Sequence, residues 1–114
     1  MKYNYEFSEI EYKSGKKSLI IIVEDSIKLV ASFLMSDIQG SDPSYVYEAI
    51  DKVVSGESIM EEINGNRCGV EISKDYTTIY DNLASDGIGN CCKIETCELR
   101  KLVEVWSEKC KGKN

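Results

Sequence analysis

The second half of the chain echoes the first at a spacing of about fifty residues, and a repeated unit constrains architecture more tightly than any single element can. Each half reads strand, turn, strand, short polar turn, strand, loop, helix. Gly15 in the first turn answers to Gly65, and Glu24-Asp25 answers to Lys74-Asp75. The third strands end near Leu34 and Leu83, and an amphipathic helix follows each. What repeats is pattern, since few residues are identical. The expected fold is α+β: one domain over 1–114, with a pseudo-repeat of 1–56 and 57–110. Two β-β-β-α units would then pack antiparallel sheet against helices at 43–55 and 97–109.

Local signals support this reading. Tyr3, Tyr5 and Phe7 share one face of a strand over 2–12, and the shift of apolar parity to Ile10 and Tyr12 suggests a bulge near Ser8-Glu9. Leu19 to Val23 is apolar on both faces and reads as a central strand. Ile27, Leu29, Ala31 and Phe33 alternate with Lys28, Val30 and Ser32, which predicts a third strand. Asp42 is a good N-cap and Pro43 fits a first helical position; Val46, Ala49, Ile50, Val53 and Val54 follow at helical spacing, and Gly56 is a natural stop. Asn64-Gly65-Asn66 is a hairpin signal of the type I′ kind. Cys68, Val70 and Ile72 share one face, and Thr77 to Tyr80 makes a sixth strand. Residues 81–90 read as a loop. Thr96 can cap a last helix whose buried stripe is Leu99, Leu102, Val103 and Trp106. The expected core is Ile21, Leu29, Phe33, Ile50, Val53, Val70, Ile72, Leu102 and Trp106.

Composition excludes several functions. With 114 residues the chain can bury a core without disulfides or metal. A net charge of −6 opposes binding to nucleic acid or to an anionic membrane, and favours a basic protein partner. No h-region follows the start, and five cysteines without a signal peptide fit reduced thiols and a cytoplasmic location. There is no histidine, which removes the commonest general base and metal ligand, along with Ser-His and Cys-His nucleophiles.

What chemistry remains is weak. Cys91, Cys92 and Cys97, with Cys68 as a fourth ligand, can be drawn as a zinc site, but their spacing is wrong for a knuckle. Carboxylates such as Glu24-Asp25, Glu61-Glu62, Asp81 and Asp86 abound among 20 acidic residues, so chance pairs are expected and glycosidase-like chemistry is not indicated. Gly87 and Gly89 do not open directly into a helix, as a phosphate loop would. No enzyme activity, metal or cofactor is expected. Tyr is the dominant aromatic, with seven copies against two Phe and one Trp, and Tyr suits an interface. Tyr76 and Tyr80 stand beside Asp75 and Asp81, where an acidic-aromatic surface fits.

The segments SLIIIVED, IDKVVSGE, INGNRCGVEISKDYTTIYDNL and IETCELRKLVEVWSEK resemble those of small acidic immunity proteins from contact-dependent growth inhibition and related polymorphic toxin systems. The resemblance covers nearly the whole chain and implies a cytosolic protein that binds a cognate toxin and covers its active site or substrate surface. Many such toxins are basic nucleases, which an acidic partner would meet with favourable steering. The two loops after the third strands are the expected contact region: Asp37, Tyr80, Asp81 and Asp86 are the candidate toxin-binding residues, Asp42 being spent on its helix. The acidic edge at Glu57, Glu61 and Glu62 is the fallback. The alternative is a single-stranded nucleic-acid binder with duplicated sheets in a Whirly-like arrangement, which the charge opposes, since only Lys13, Lys16 and Lys17 cluster.

Overall fold

The computed structural model describes residues 2–38, 42–65, 68–81 and 91–112. Strands β1 (Tyr5–Glu11) and β2 (Lys17–Val23) form an antiparallel hairpin. A 3-10 turn (Asp25–Ile27) leads into helix α1 (Lys28–Phe33), which ends in a π turn (Leu34–Ile38). Helix α2 (Ser44–Val54) follows, then β3 (Met60–Asn64), β4 (Cys68–Ser73), β5 (Tyr76–Asp81) and β6 (Cys91–Glu95), and finally α3 (Thr96–Gly112). The last four strands form one antiparallel sheet in the order β3-β4-β5-β6. The α+β class and the packing of antiparallel sheet on helices are as expected.

The third strand expected over 27–33 is instead helical. Ile27, Val30, Ala31, Leu34 and Ile38 are buried at helical spacing, and Leu29 and Phe33 are buried as well. The helix is therefore apolar nearly all round, as an interior helix is. A period-2 reading of Ile27, Leu29, Ala31 and Phe33 sees half of that set, and a short apolar run cannot be assigned by periodicity alone. The consequence is structural. Helix α1 packs on β2 on one side and on β4, β5 and β6 on the other, so it fills the space between hairpin and sheet. The first half thus carries two strands and the second four, and the described strands make neither a strand-for-strand repeat nor two equal Whirly-like sheets.

Three further expectations change. The β1–β2 register runs unbroken from Tyr5↔Val23 to Glu11↔Lys17, without a bulge at Ser8-Glu9. Strand β2 is not central: among the described residues it pairs with β1 alone, and Ile22 stays 45% exposed while Leu19 and Ile21 are buried. Cys91 and Cys92 open a strand, β6, where a loop was expected.

The punctuation is largely as read. Tyr12 N–H donates to Lys16 O and Gly15 N–H to Tyr12 O, and Gly15 has φ +88°, which only glycine adopts freely. Asp42 Oδ1 accepts from Ser44 N and Oγ, and this holds its carboxyl below the usual range as α2 begins one residue later than expected. Gly56, at φ +87°, ends that helix. Thr96, expected as a cap, is the first residue of α3, and its bonds run to the sheet. Its hydroxyl donates to Ser73 O at 2.6 Å and meets Thr77 Oγ1 at 2.9 Å, and its N–H donates to Asp75 O. Two buried hydroxyls are thereby satisfied, and α3 leaves β6 without a loop, tied to the β4–β5 turn.

Gly65 is required for space, since its φ is not left-handed. A Cβ there would lie 2.6–2.8 Å from the Asp37 carboxylate, whose Oδ2 accepts from Cys68 N–H at 3.1 Å. Asp37 thus holds the β3–β4 turn from the end of α1. Gly65→Ala is expected to push that carboxylate away and to cost about 1–3 kcal/mol, the penalty of an orphaned amide. Asp37→Ala should cost a similar amount, and the double variant little more than either. Urea denaturation of the cycle checks this; additive losses would mean the two residues act separately.

Candidate functional site

Strand alternation divides the four-stranded sheet. Ile63, Cys68, Val70, Ile72, Thr77, Ile79, Cys92 and Ile94 share the parity that faces the helices, and most are fully buried. The opposite parity forms an open face: Met60 and Glu62 on β3, Glu71 on β4, Tyr76, Thr78 and Tyr80 on β5, and Cys91, Lys93 and Glu95 on β6. Tyr76 is 50% exposed, Met60 44% and Tyr80 37%. These side chains give the face aromatic and apolar area set among carboxylates.

The register places Glu62 directly opposite Glu71. Gly65 N–H donates to Cys68 O, so the hydrogen-bonded pairs of this ladder are 65/68, 63/70 and 61/72. Glu62 and Glu71 therefore occupy a non-bonded position, where Cα atoms approach to about 4.5 Å and side chains lie closest. Like charges so placed repel. Tyr80 O–H donates to Glu71 Oε2 at 3.0 Å, and that bond, more than burial, raises the phenol's pKa. Lys93 Nζ lies 4.6 Å from the Tyr76 ring centroid, so the face already seats one cation on an aromatic surface. Among the described strand residues of this face, Lys93 is the base, against Glu62, Glu71 and Glu95.

Glu95 closes the β6 corner. Lys2 Nζ pairs with its Oε2 and Tyr3 O–H donates to Oε1 at 2.5 Å, which ties the residues before β1 to the open face. The Lys2 bond first, then the Tyr3 bond, lower the Glu95 carboxyl from 4.5 to about 2. A depressed folded pKa contributes stability above the unfolded value and loses it as pH falls through the folded one. The Glu95 contribution is thus present above about pH 4.5 and gone near pH 2. Glu95→Gln is expected to flatten the stability profile across that window and leave its slope near neutrality unchanged. Denaturant midpoints measured from pH 2 to 7 check this.

The expected contact residues fall in different places. Tyr80 lies on the open face. Asp37 and Asp81 converge on Cys68 from the other parity, Asp37 on its amide and Asp81 opposite it in the register. Asp86 lies outside the described residues, as do Gly87 and Gly89. Glu62, in the fallback edge, is on the open face, whereas its neighbour Glu61 points to the helix side. Glu71, Met60 and Lys93 were not singled out from sequence. The signal for them was the parity opposite Val70, Ile72, Thr77 and Ile79, which becomes a surface only once the strands are in register.

The cysteines do not assemble. Cys91 and Cys92 point to opposite faces of β6; Cys68 is buried, and Cys97 is exposed in the first turn of α3. All five are free thiols, and burial pushes the Cys92 thiol up. Among the described residues no group of three or more Cys, Asp or Glu could hold a metal ion, and no helix is long and apolar enough to cross a membrane. The open face offers charge, hydrogen-bonding groups and aromatic area, a set suited to binding a protein.

No family model and no solved structure matches the chain. A protein of Bacillus cereus named "Immunity protein" is 41% identical to it over 118 aligned residues, which cover the whole of this chain and 97% of the relative.

Proposed function

Because the chain belongs to the family of this Bacillus immunity protein, we propose that it neutralises a cognate toxin domain by binding it through the open face of the β3–β6 sheet. The observation that carries the proposal is the exposed array of Glu62 opposite Glu71, flanked by Tyr76, Tyr80 and Met60. An array of that kind suits a basic surface, and with the net charge of −6 it favours a nuclease whose substrate face is cationic. The toxin would belong to a contact-dependent or related polymorphic system, and the encounter would take place in the cytosol, where five free thiols persist. Inhibition of this kind is occlusion: the toxin's substrate surface is covered, and the inhibitor performs no reaction. Asp37 supports the face indirectly by holding the β3–β4 turn, Tyr80 contacts the toxin directly, and Asp81 ends β5.

The test is co-expression with the C-terminal domain encoded by the adjacent upstream gene. A stable complex that protects cellular RNA and DNA from that domain is expected. Unimpeded toxicity, with no complex on gel filtration, would refute the proposal.

A further inference from the structure

The open face is too small to hold a toxin alone. Four strands about 4.8 Å apart and five or six residues long present roughly 350 Å² of flat area, against about 800 Å² per partner in a standard interface. Contact therefore runs on past a border of the sheet. The β6 border is occupied at Glu95, where Lys2 and Tyr3 bind. At the other border, among the described residues, β3 pairs with β4 alone. Because 65/68, 63/70 and 61/72 are the bonded pairs, Met60, Glu62 and Asn64 turn their N–H and C=O groups away from β4. The same three residues are exposed. Apolar surface gathers at the start of this edge, where Ile59 is 94% exposed beside Met60. The charge of the edge is acidic and unbalanced. Glu57, Glu61 and Glu62 form no ion pair among the described residues, and β4 sets no base opposite the strand. Glu71 has the Tyr80 hydroxyl, whereas Glu62 faces only Glu71.

We propose that the outer edge of β3 takes an extended strand of the toxin as a fifth strand of the sheet, with a Lys or Arg beside Glu62 and an apolar side chain beside Met60. Main-chain bonds to Met60, Glu62 and Asn64 hold that strand, and its alternate side chains select it. The base completes a row across the open face. That row runs Glu62, Glu71, Thr78, Lys93, with two like charges together at the β3 end and the cation at the far one. The apolar side chain, two residues along the incoming strand, covers Met60 next to Ile59. Charge also decides against a second copy. Two copies of β3 paired antiparallel through these three residues would set Glu62 against its own counterpart, with Glu71 just behind, and charged edges resist self-pairing in this way. The inference rests on the chain's binding a toxin, and it names the toxin element that the open face alone leaves unspecified.

Amide exchange followed residue by residue, with and without the adjacent gene's toxin domain, tests it. In the complex the amides of Met60, Glu62 and Asn64 are expected to slow at least tenfold more than those of Glu61 and Ile63, which already bond to β4. Asn64→Pro gives an independent reading. It deletes one outward N–H, keeps every charge and the β4 ladder, and proline is tolerated on an edge strand. It should weaken binding at least tenfold with the melting temperature little changed. Glu62→Lys should weaken binding at least tenfold as well, and wild-type affinity there would overturn the basic character of the strand. A complex in which the three outward amides exchange as in the free protein overturns this inference and keeps the proposed function. Absence of any complex overturns both. Slowing of the three amides that grows with protein concentration, without the toxin, would replace the basic strand by a second copy.

Discussion

Trp106→Ala is expected to lower the free energy of unfolding by about 3–5 kcal/mol, the range for deleting a large aromatic from a core. Trp106 is fully buried on α3, and its ring stacks on Phe7 of β1 with centroids 6.3 Å apart and planes at 26°. Phe7 in turn meets Tyr5 edge-on at 5.6 Å, and Lys109 lies over its ring. The indole is therefore the fastener between the last helix and the first hairpin. The loss should combine the transfer term with a cavity that neither element can close, because α3 is also held at its start by Thr96 and β1 by Glu95. Urea midpoints measure the loss, and hydrogen exchange should show β1 and β2 opening first. An unchanged midpoint would mean that α3 is not docked as described.

Reversal of the paired carboxylates, Glu62→Lys/Glu71→Lys, should be the most damaging change to toxin binding. Removing one member of a desolvated charge pair typically costs about 2–5 kcal/mol, most of it through faster dissociation, and reversal adds repulsion. The free protein should fold normally, since both residues lie on the open parity and the ladder beneath them is unaltered. Tyr80→Phe is a milder probe. It keeps the ring but loses the bond that orients Glu71, so its effect should appear mainly when Glu71 is intact. Titration calorimetry of the single and combined variants distinguishes these outcomes. Wild-type affinity in all of them would move the interface off the open face.

Much of the interior was legible because burial follows apolarity before it follows secondary structure. Leu29 and Phe33 are buried as expected, although they lie on a helix where a strand was read. The α2 boundaries were legible for a different reason. Asp42, Pro43 and Gly56 act within a few residues, and local chemistry needs no tertiary context to be read. The helix at 28–33 was not legible, because a segment buried on every side shows no polar face to reveal its period. Strand β6 was obscured as well. Of its residues Ile94 alone is buried, and its strand character comes from pairing with β5. The candidate site divides in the same way. Tyr80 stood out as an aromatic beside acids. Glu71 did not, because its meaning depends on Glu62, which lies on the preceding strand and becomes its neighbour only across the ladder. Asp37 looked like a loop acid offered to a partner, and its bond to Cys68 N–H became visible only when the chain was folded.

The two parities of the β3–β6 sheet answer to different demands. Val70, Ile72, Ile79 and Ile94 sustain the interior, while Glu62, Glu71, Thr78 and Lys93 alternate with them in the same strands and take no part in it. Those four letters can therefore be rewritten with little structural penalty, so long as the intervening letters stay and Glu95 keeps its bonds to Lys2 and Tyr3. A lineage that must follow a changing toxin can explore new recognition surfaces by single substitutions and remain folded at each step. Retargeting and foldability are inherited on interleaved, separable positions.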